Sequence, residues 1–251
     1  MGLGEGNISA RRTVRGAAAT AAAMSASGCA RRGGGSGPRS RQAPRATAAR
    51  APSTRAFCGV ARLAVINADA LSATLAARAA LETLRAAAGA DSPMERHCLR
   101  QFAIAERLAG DREFDRELLL CACWLHDVGL YTHSRDPYVT EGARVAARVL
   151  EPFAWPPERL QRCMNACEQH HAPRSRMAMG LEVELVRRSD LVDVTAGLVN
   201  FGLDRGWLRD LFREVPREGL WRLIAAAVLS ELCHRPATLT HVFLSPRRTR
   251  P

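Results

Sequence analysis

The stretch Leu118-Leu119-Leu120-Cys121-Ala122-Cys123-Trp124-Leu125 carries no charged side chain, and the next two residues are His126 and Asp127. A helix that is apolar all round belongs in the middle of a fold. The chain must therefore deliver an imidazole and a carboxylate to its interior. Burying either costs on the order of several kcal/mol unless something replaces the lost hydration, and a divalent cation does so for both at once. A carboxylate at a helix C-terminus also faces the negative end of the helix dipole, so Asp127 is misplaced as a mere cap. His97 lies upstream and Asp190 downstream as further candidate ligands.

From about residue 60 the apolar spacing is helical throughout, and the alternation that marks strands is missing. The spacing predicts helices near 61–88, 93–109, 115–128, 138–150, 157–171, 181–199, 205–214 and 217–234. Asp91-Ser92-Pro93 and Pro156-Pro157-Glu158 read as helix starts, and Gly129 and Pro173 as stops. Eight helices with short connections predict an all-α fold, a single helical-bundle domain over 60–245.

Residues 1–59 are different. They are rich in Ala, Arg, Gly, Ser and Pro, hold nearly all of the formal net charge of +11, and contain one acid, Glu5. Such a segment cannot bury enough apolar surface to offset its ordering entropy, so a disordered extension is expected. The remainder is close to neutral, which argues against specific nucleic-acid recognition by the folded part. No run reaches the roughly 18 apolar residues of a membrane span. Arg11-Arg12 ahead of Gly16–Gly28 and Cys29 loosely resembles a twin-arginine export signal. The cysteines suit a reduced, cytoplasmic setting better. They form no disulfide framework, and Cys121-x-Cys123 is too tight, and Cys163 and Cys167 too helical in spacing, for a thiolate zinc site.

The ordered set His97, His126-Asp127, His170 and Asp190, each on a different predicted helix, resembles the HD-domain superfamily of metal-dependent hydrolases over residues 90 to 240. His97-Cys98-Leu99-Arg100 is similar to that family's His-Ser-x-Arg, Leu119–Gly129 to its Leu-Leu-His-Asp-Ile-Gly, and Ser189-Asp190-Leu191-Val192-Asp193 to its Ala-Asp-x-x-Asp. Glu141-Gly142-Ala143 and Ala146-Ala147 resemble the helix that follows the doublet in many members. Pro216–Leu220 and Glu231 through Pro236-Ala237-Thr238 look like the cyanamide-hydratase branch.

The resemblance implies a metal site of His97, His126, Asp127 and Asp190. Two imidazoles and two carboxylates suit Mn, Fe, Ni, Co or Zn. It implies Asp127 and His170 as catalytic groups, with His171 as the competing histidine of that pair. The implied reaction is attack of a metal-bound hydroxide on the phosphoester of a nucleotide or other small metabolite. Two rival readings are addition of water to a nitrile and a metal-stabilised regulatory module without turnover.

Arg100 shares a face with His97 and is expected to hold an anionic substrate, or else to pair with a carboxylate such as Asp127. Asp193, one turn from Asp190, is expected in a supporting position or at the surface, and His133 near the mouth. His234 and His241 are expected to be structural. The expected partner is a small-molecule substrate, and homo-oligomerisation is left open.

Deleting residues 1–59 is expected to leave the thermal transition and activity unchanged while removing most weak, salt-sensitive binding to polyanions. A truncated chain without a cooperative transition would mean that the tail packs on the domain.

Overall fold

The computed structural model describes residues 67–134 and 136–234. The extension at 1–59 with its signal-like features, His241, Pro236–Thr238 and both domain limits at 60 and 245 lie outside them. Among the described residues there are nine α-helices and no strand: α1 (Ala68–Leu71), α2 (Leu75–Ala88), α3 (Pro93–Ala109), α4 (Arg116–Leu125), α5 (Tyr138–Leu150), α6 (Pro157–Gln169), α7 (Leu181–Val194), α8 (Arg205–Glu214) and α9 (Leu220–His234). None of these helices is long and apolar enough to cross a membrane.

The centre is α4. Every residue from Leu118 to Leu125 is buried, and α2, α3, α5, α6 and α7 all pack on it. Asp115 caps its start by accepting from the Leu118 amide and is in turn gripped by Arg159. α3 starts as the sequence predicts, with Ser92 capping the Glu95 amide and Pro93 in the first turn. The Glu95 carboxylate then reaches back to the Asp91 amide and holds Arg85 of α2.

Helix ends differ from expectation where local geometry intervenes. The stretch predicted as one helix over 61–88 is interrupted after Leu71, because Thr74 caps a new helix through the Ala77 amide. α4 stops at Leu125, and Val128–Tyr131 form a single 3-10 turn that begins at Asp127. α6 stops at Gln169, with His170 as its cap. α7 stops at Val194 rather than 199. Ala196 and Gly197 turn to φ 53 and 76, and their amides close on the Asp193 and Val192 carbonyls, a left-handed helix ending. Gly219, at φ 80, delays α9 from 217 to Leu220.

Two glycines let α5 cross the end of α4. A Cβ on Gly129 would lie 1.9 Å from the Tyr138 carbonyl oxygen, and one on Gly142 would lie 2.7 Å from that of His126. The backbone around the His-Asp doublet is thus clamped from above by the first turns of α5. Replacing Gly142 by Ala is expected to cost about 1–3 kcal/mol through overpacking and to lower metal content with it, because the carbonyl displaced is that of His126. A thermal melt alongside metal analysis checks this, and an unchanged melt would mean that α5 does not approach so closely.

Candidate metal centre

Four helices converge on one buried spot. α3 brings His97 and Arg100, the end of α4 brings His126 and Asp127, the end of α6 brings His170 and His171, and α7 brings Asp190 and Asp193. The long gaps in sequence close because each group sits on a separate helix facing the same core.

The side chains form a closed ring. His97 Nε2 lies 3.3 Å from His126 Nε2, and His126 Nε2 lies 3.2 Å from Asp127 Oδ2. The other Asp127 oxygen, Oδ1, lies 3.3 Å from His170 Nε2. The His170 and His171 rings lie side by side, tilted by 49°, with centroids 4.1 Å apart. His171 Nδ1 is 3.4 Å from Asp190 Oδ2, and Asp190 Oδ1 is 3.4 Å from His97 Nε2. Each carboxylate therefore spans two imidazoles.

Three of the rings are fixed from behind. His126 Nδ1 donates to the Cys123 carbonyl at 2.9 Å, and His170 Nδ1 to the Cys167 carbonyl at 2.6 Å. A carbonyl only accepts, so the proton of each neutral ring must be on Nδ1, and Nε2 turns a lone pair inward. His97 Nδ1 donates to Asp193 Oδ2 at 2.6 Å. Lone pairs facing one another and two carboxylates repel unless a cation lies among them. Asp127 Oδ1 and His170 Nε2 are buried with no hydrogen-bond partner, a lack that a shared cation would meet. Ligands about 2.0–2.2 Å from a transition metal sit roughly 3.0–3.4 Å from one another, the spacing seen here. The donor set fits such a metal.

Two trios have donor atoms close enough to share an ion: His97, His126 and Asp127, and Asp127, His170 and His171. Asp127 belongs to both. Asp190 lies between them, on His97 and His171. No cysteine joins such a group among the described residues, and Cys98, Cys121, Cys123, Cys163 and Cys167 are buried free thiols.

Titration follows from this geometry. Burial alone would raise the Asp127 carboxyl, but the neighbouring His126 and His170 rings hold it well below the usual range. Asp190 is likewise lowered against its burial, by His171 and His97. Burial pushes His97 down, yet its bonds to Asp190 and Asp193 prevail and raise it to about 10. His171 goes the other way, to about 4, through burial and the charge of His170. The negative pair thus attracts either a proton or a cation, and the two compete.

Arg100 is placed differently from the substrate-holding role read in the sequence. It is fully buried. Its Nε and Nη2 grip both oxygens of Asp193 at 2.7 and 2.8 Å, and its Nη1 donates to the Pro216 carbonyl at 2.8 Å. The shared face with His97 is real, but what meets that face is Asp193, itself held at its carbonyl by Arg217. Bonds from His97 and Arg100 keep the Asp193 carboxyl at about 2 despite burial. The line Arg100–Asp193–His97 supports a candidate ligand from behind.

Sequence reasoning left one histidine of the 170/171 pair unplaced, whereas the structure brings both to the ring. It also passed over Tyr131 and Tyr138, the only two tyrosines in the chain. Tyr138 packs 6.1 and 6.2 Å from His170 and His171. Tyr131 is half-buried, with its hydroxyl pushed up to about 12 by burial and the charge of Asp127. The concentration of a scarce residue just after the doublet was the available signal. His133 lies exposed in the loop beyond, and His234 is exposed at the end of α9.

Asp193→Asn and Arg100→Lys are expected to weaken metal affinity by roughly ten- to a hundredfold, the usual cost of removing support behind a ligand. Titrating metal into folded apoprotein measures this. Wild-type affinity in both variants would mean that His97 needs no such support.

The comparisons agree with this arrangement. No curated protein matches the chain. The HD domain family matches residues 94–195, from the first turn of α3 to just past α7, a segment that holds every residue of the ring. Over that segment the chain is similar to the HD domain family.

Proposed function

We propose that the protein is a metal-dependent hydrolase that cleaves a phosphoester of a nucleotide or other small phosphorylated metabolite. The observation that carries this reading is the inward-facing set of imidazole nitrogens around two buried carboxylates. His97, His126, Asp127 and Asp190 would hold one cation of the Mn, Fe, Co, Ni or Zn kind. Such a cation, when bound, acidifies water and polarises a phosphoryl oxygen.

The chain's own groups divide the remaining tasks. The Asp127 side chain is 13% exposed against 4% for Asp190, so substrate approaches on the Asp127 side. His170 is fully enclosed. Burial lowers its pKa, but the nearby Asp127, 3.3 Å away, and the charge of Asp190 more than offset this and the net shift is upward. With Nδ1 fixed on Cys167, only the charged form of His170 carries a second proton at Nε2, beside Asp127, where it can pass to the departing alkoxide. Arg100 acts on the reaction only through Asp193 and His97. His171 faces Asp190 and completes the wall. A second cation, if bound, would be held by Asp127, His170 and His171.

Purified protein, loaded in turn with each of these metals, is to be assayed on a panel of phosphate monoesters and on cyanamide, with metal counted per chain. Phosphate release with one metal per chain is expected. His170→Ala is expected to keep that metal while losing about a hundredfold or more in kcat. Loss of one metal from a two-metal protein in that variant would make His170 a ligand instead. Urea from cyanamide without phosphate release would replace the hydrolase by a hydro-lyase. Metal binding with neither reaction would leave a regulatory module.

A further inference from the structure

A cleft of about 530 Å³ opens between the turn that follows the doublet and the last turns of α9. It is walled by Leu130, Tyr131, His133 and Ser134 on one side and Ser230 and His234 on the other. This size is ordinary for a small-molecule site. Its floor belongs to the metal centre: the 3-10 turn of Leu130 and Tyr131 starts from Asp127, whose carbonyl accepts from the Leu130 amide. Tyr131 feels the charge of Asp127. From the other wall, Glu231 is buried and its charge, with those of Asp127 and Asp190, reaches Tyr138. The cleft and the candidate centre are thus neighbours.

The chemistry of the lining is selective. Among the described residues the lining is of hydroxyl, phenol, imidazole and apolar side chains, with no Arg, Asp or Glu. His234 Nδ1 donates to the Ser230 carbonyl at 3.0 Å, which leaves Nε2 of the neutral ring as an acceptor. Ser134 Oγ accepts from the Asp136 amide at 3.1 Å, so its own proton is left to donate. An acceptor on one wall and a donor on the other suit a group that both donates and accepts. A hydroxyl does both, whereas a phosphate oxygen only accepts. Tyr131 and Leu130 add an apolar surface against which the C–H face of a ring can lie.

We propose that this cleft binds the non-reacting part of the substrate, and that this part is a neutral, hydroxyl-bearing ring or chain, a sugar or polyol, with the scissile phosphoester turned towards Asp127. The proposal rests on the phosphohydrolase reading for the reacting end alone.

The test uses metal-loaded full-length protein and the variants Ser230→Leu, which fills the cleft from α9, and His234→Phe, which removes the acceptor. Specificity is read as the ratio of kcat/KM for ribose 5-phosphate to that for p-nitrophenyl phosphate, an ester without hydroxyls. The ratio is expected to fall tenfold or more in Ser230→Leu and in the same direction in His234→Phe, with metal content equal. Saturation-transfer NMR with methyl β-riboside, which has no phosphate, is expected to give a signal that survives Asp127→Ala and vanishes in Ser230→Leu. Hydrolysis of both esters with a constant ratio and no riboside signal would overturn the cleft and leave the hydrolase standing. A riboside signal lost in Ser230→Leu, with no ester hydrolysed by the parent protein, would support the cleft while overturning the hydrolase.

Discussion

Among the described residues, two carboxylates, Asp127 and Asp190, sit in the core facing imidazoles and no guanidinium. That arrangement governs the rest of the molecule. In a buried setting an unneutralised carboxylate pair is severely penalised, and among the described residues the usual remedy, an arginine, reaches neither. The nearby arginine, Arg100, is spent on Asp193. Had it reached Asp127 or Asp190, the site would be a satisfied ion pair with no reason to take up a cation. Its diversion to Asp193 keeps the negative field of the ring available, while the paired Asp193 turns its remaining bonding capacity towards His97.

The same constraint explains why α4 is apolar on every side. A helix packed by α2, α3, α5, α6 and α7 has no freedom to rotate or slide. Its last residue therefore delivers His126 to a fixed position, and the Cys123 carbonyl one turn back fixes the ring. The unwinding just after it matters equally. Asp127 adopts φ −104 and ψ 2, outside the helix, so its side chain turns back beside His126 rather than continuing along the axis. Gly129 and Gly142 permit α5 to close over that turn.

Much of this was legible in the sequence because helical spacing and polar outliers on apolar faces are local signals. The starts of α3, α5, α6, α7 and α8 follow from Ser92, Pro93, Pro157 and the apolar periodicity. The match of His97, the doublet and Asp190 to separate helices foretold their meeting. What was not legible is what stands opposite a face. His97 and Arg100 share a face by spacing, but no local rule says that Asp193 rather than a substrate lies across from it. Asp190 and Asp193 are equivalent by spacing too, and only the packing of α7 on α3 turns one towards His171 and the other towards Arg100. Helix ends set by left-handed turns, at Ala196 with Gly197 and at Gly219, were likewise overrun by the periodic pattern.

The tyrosines tie the two levels together. Scarcity of aromatic side chains in the chain argues, at the level of composition, against recognition of a small neutral molecule. In three dimensions both tyrosines border the centre, Tyr138 against His170 and His171 and Tyr131 between Asp127 and the cleft beside α9. Composition averages over the whole surface, whereas binding depends on a few side chains placed where water is displaced. A chain poor in aromatics can thus still offer an aromatic wall where its topology brings the turn after Asp127 beside the end of α9. The fold does so by using one 3-10 turn for two purposes, carrying the candidate ligand Asp127 at its start and the wall at its end.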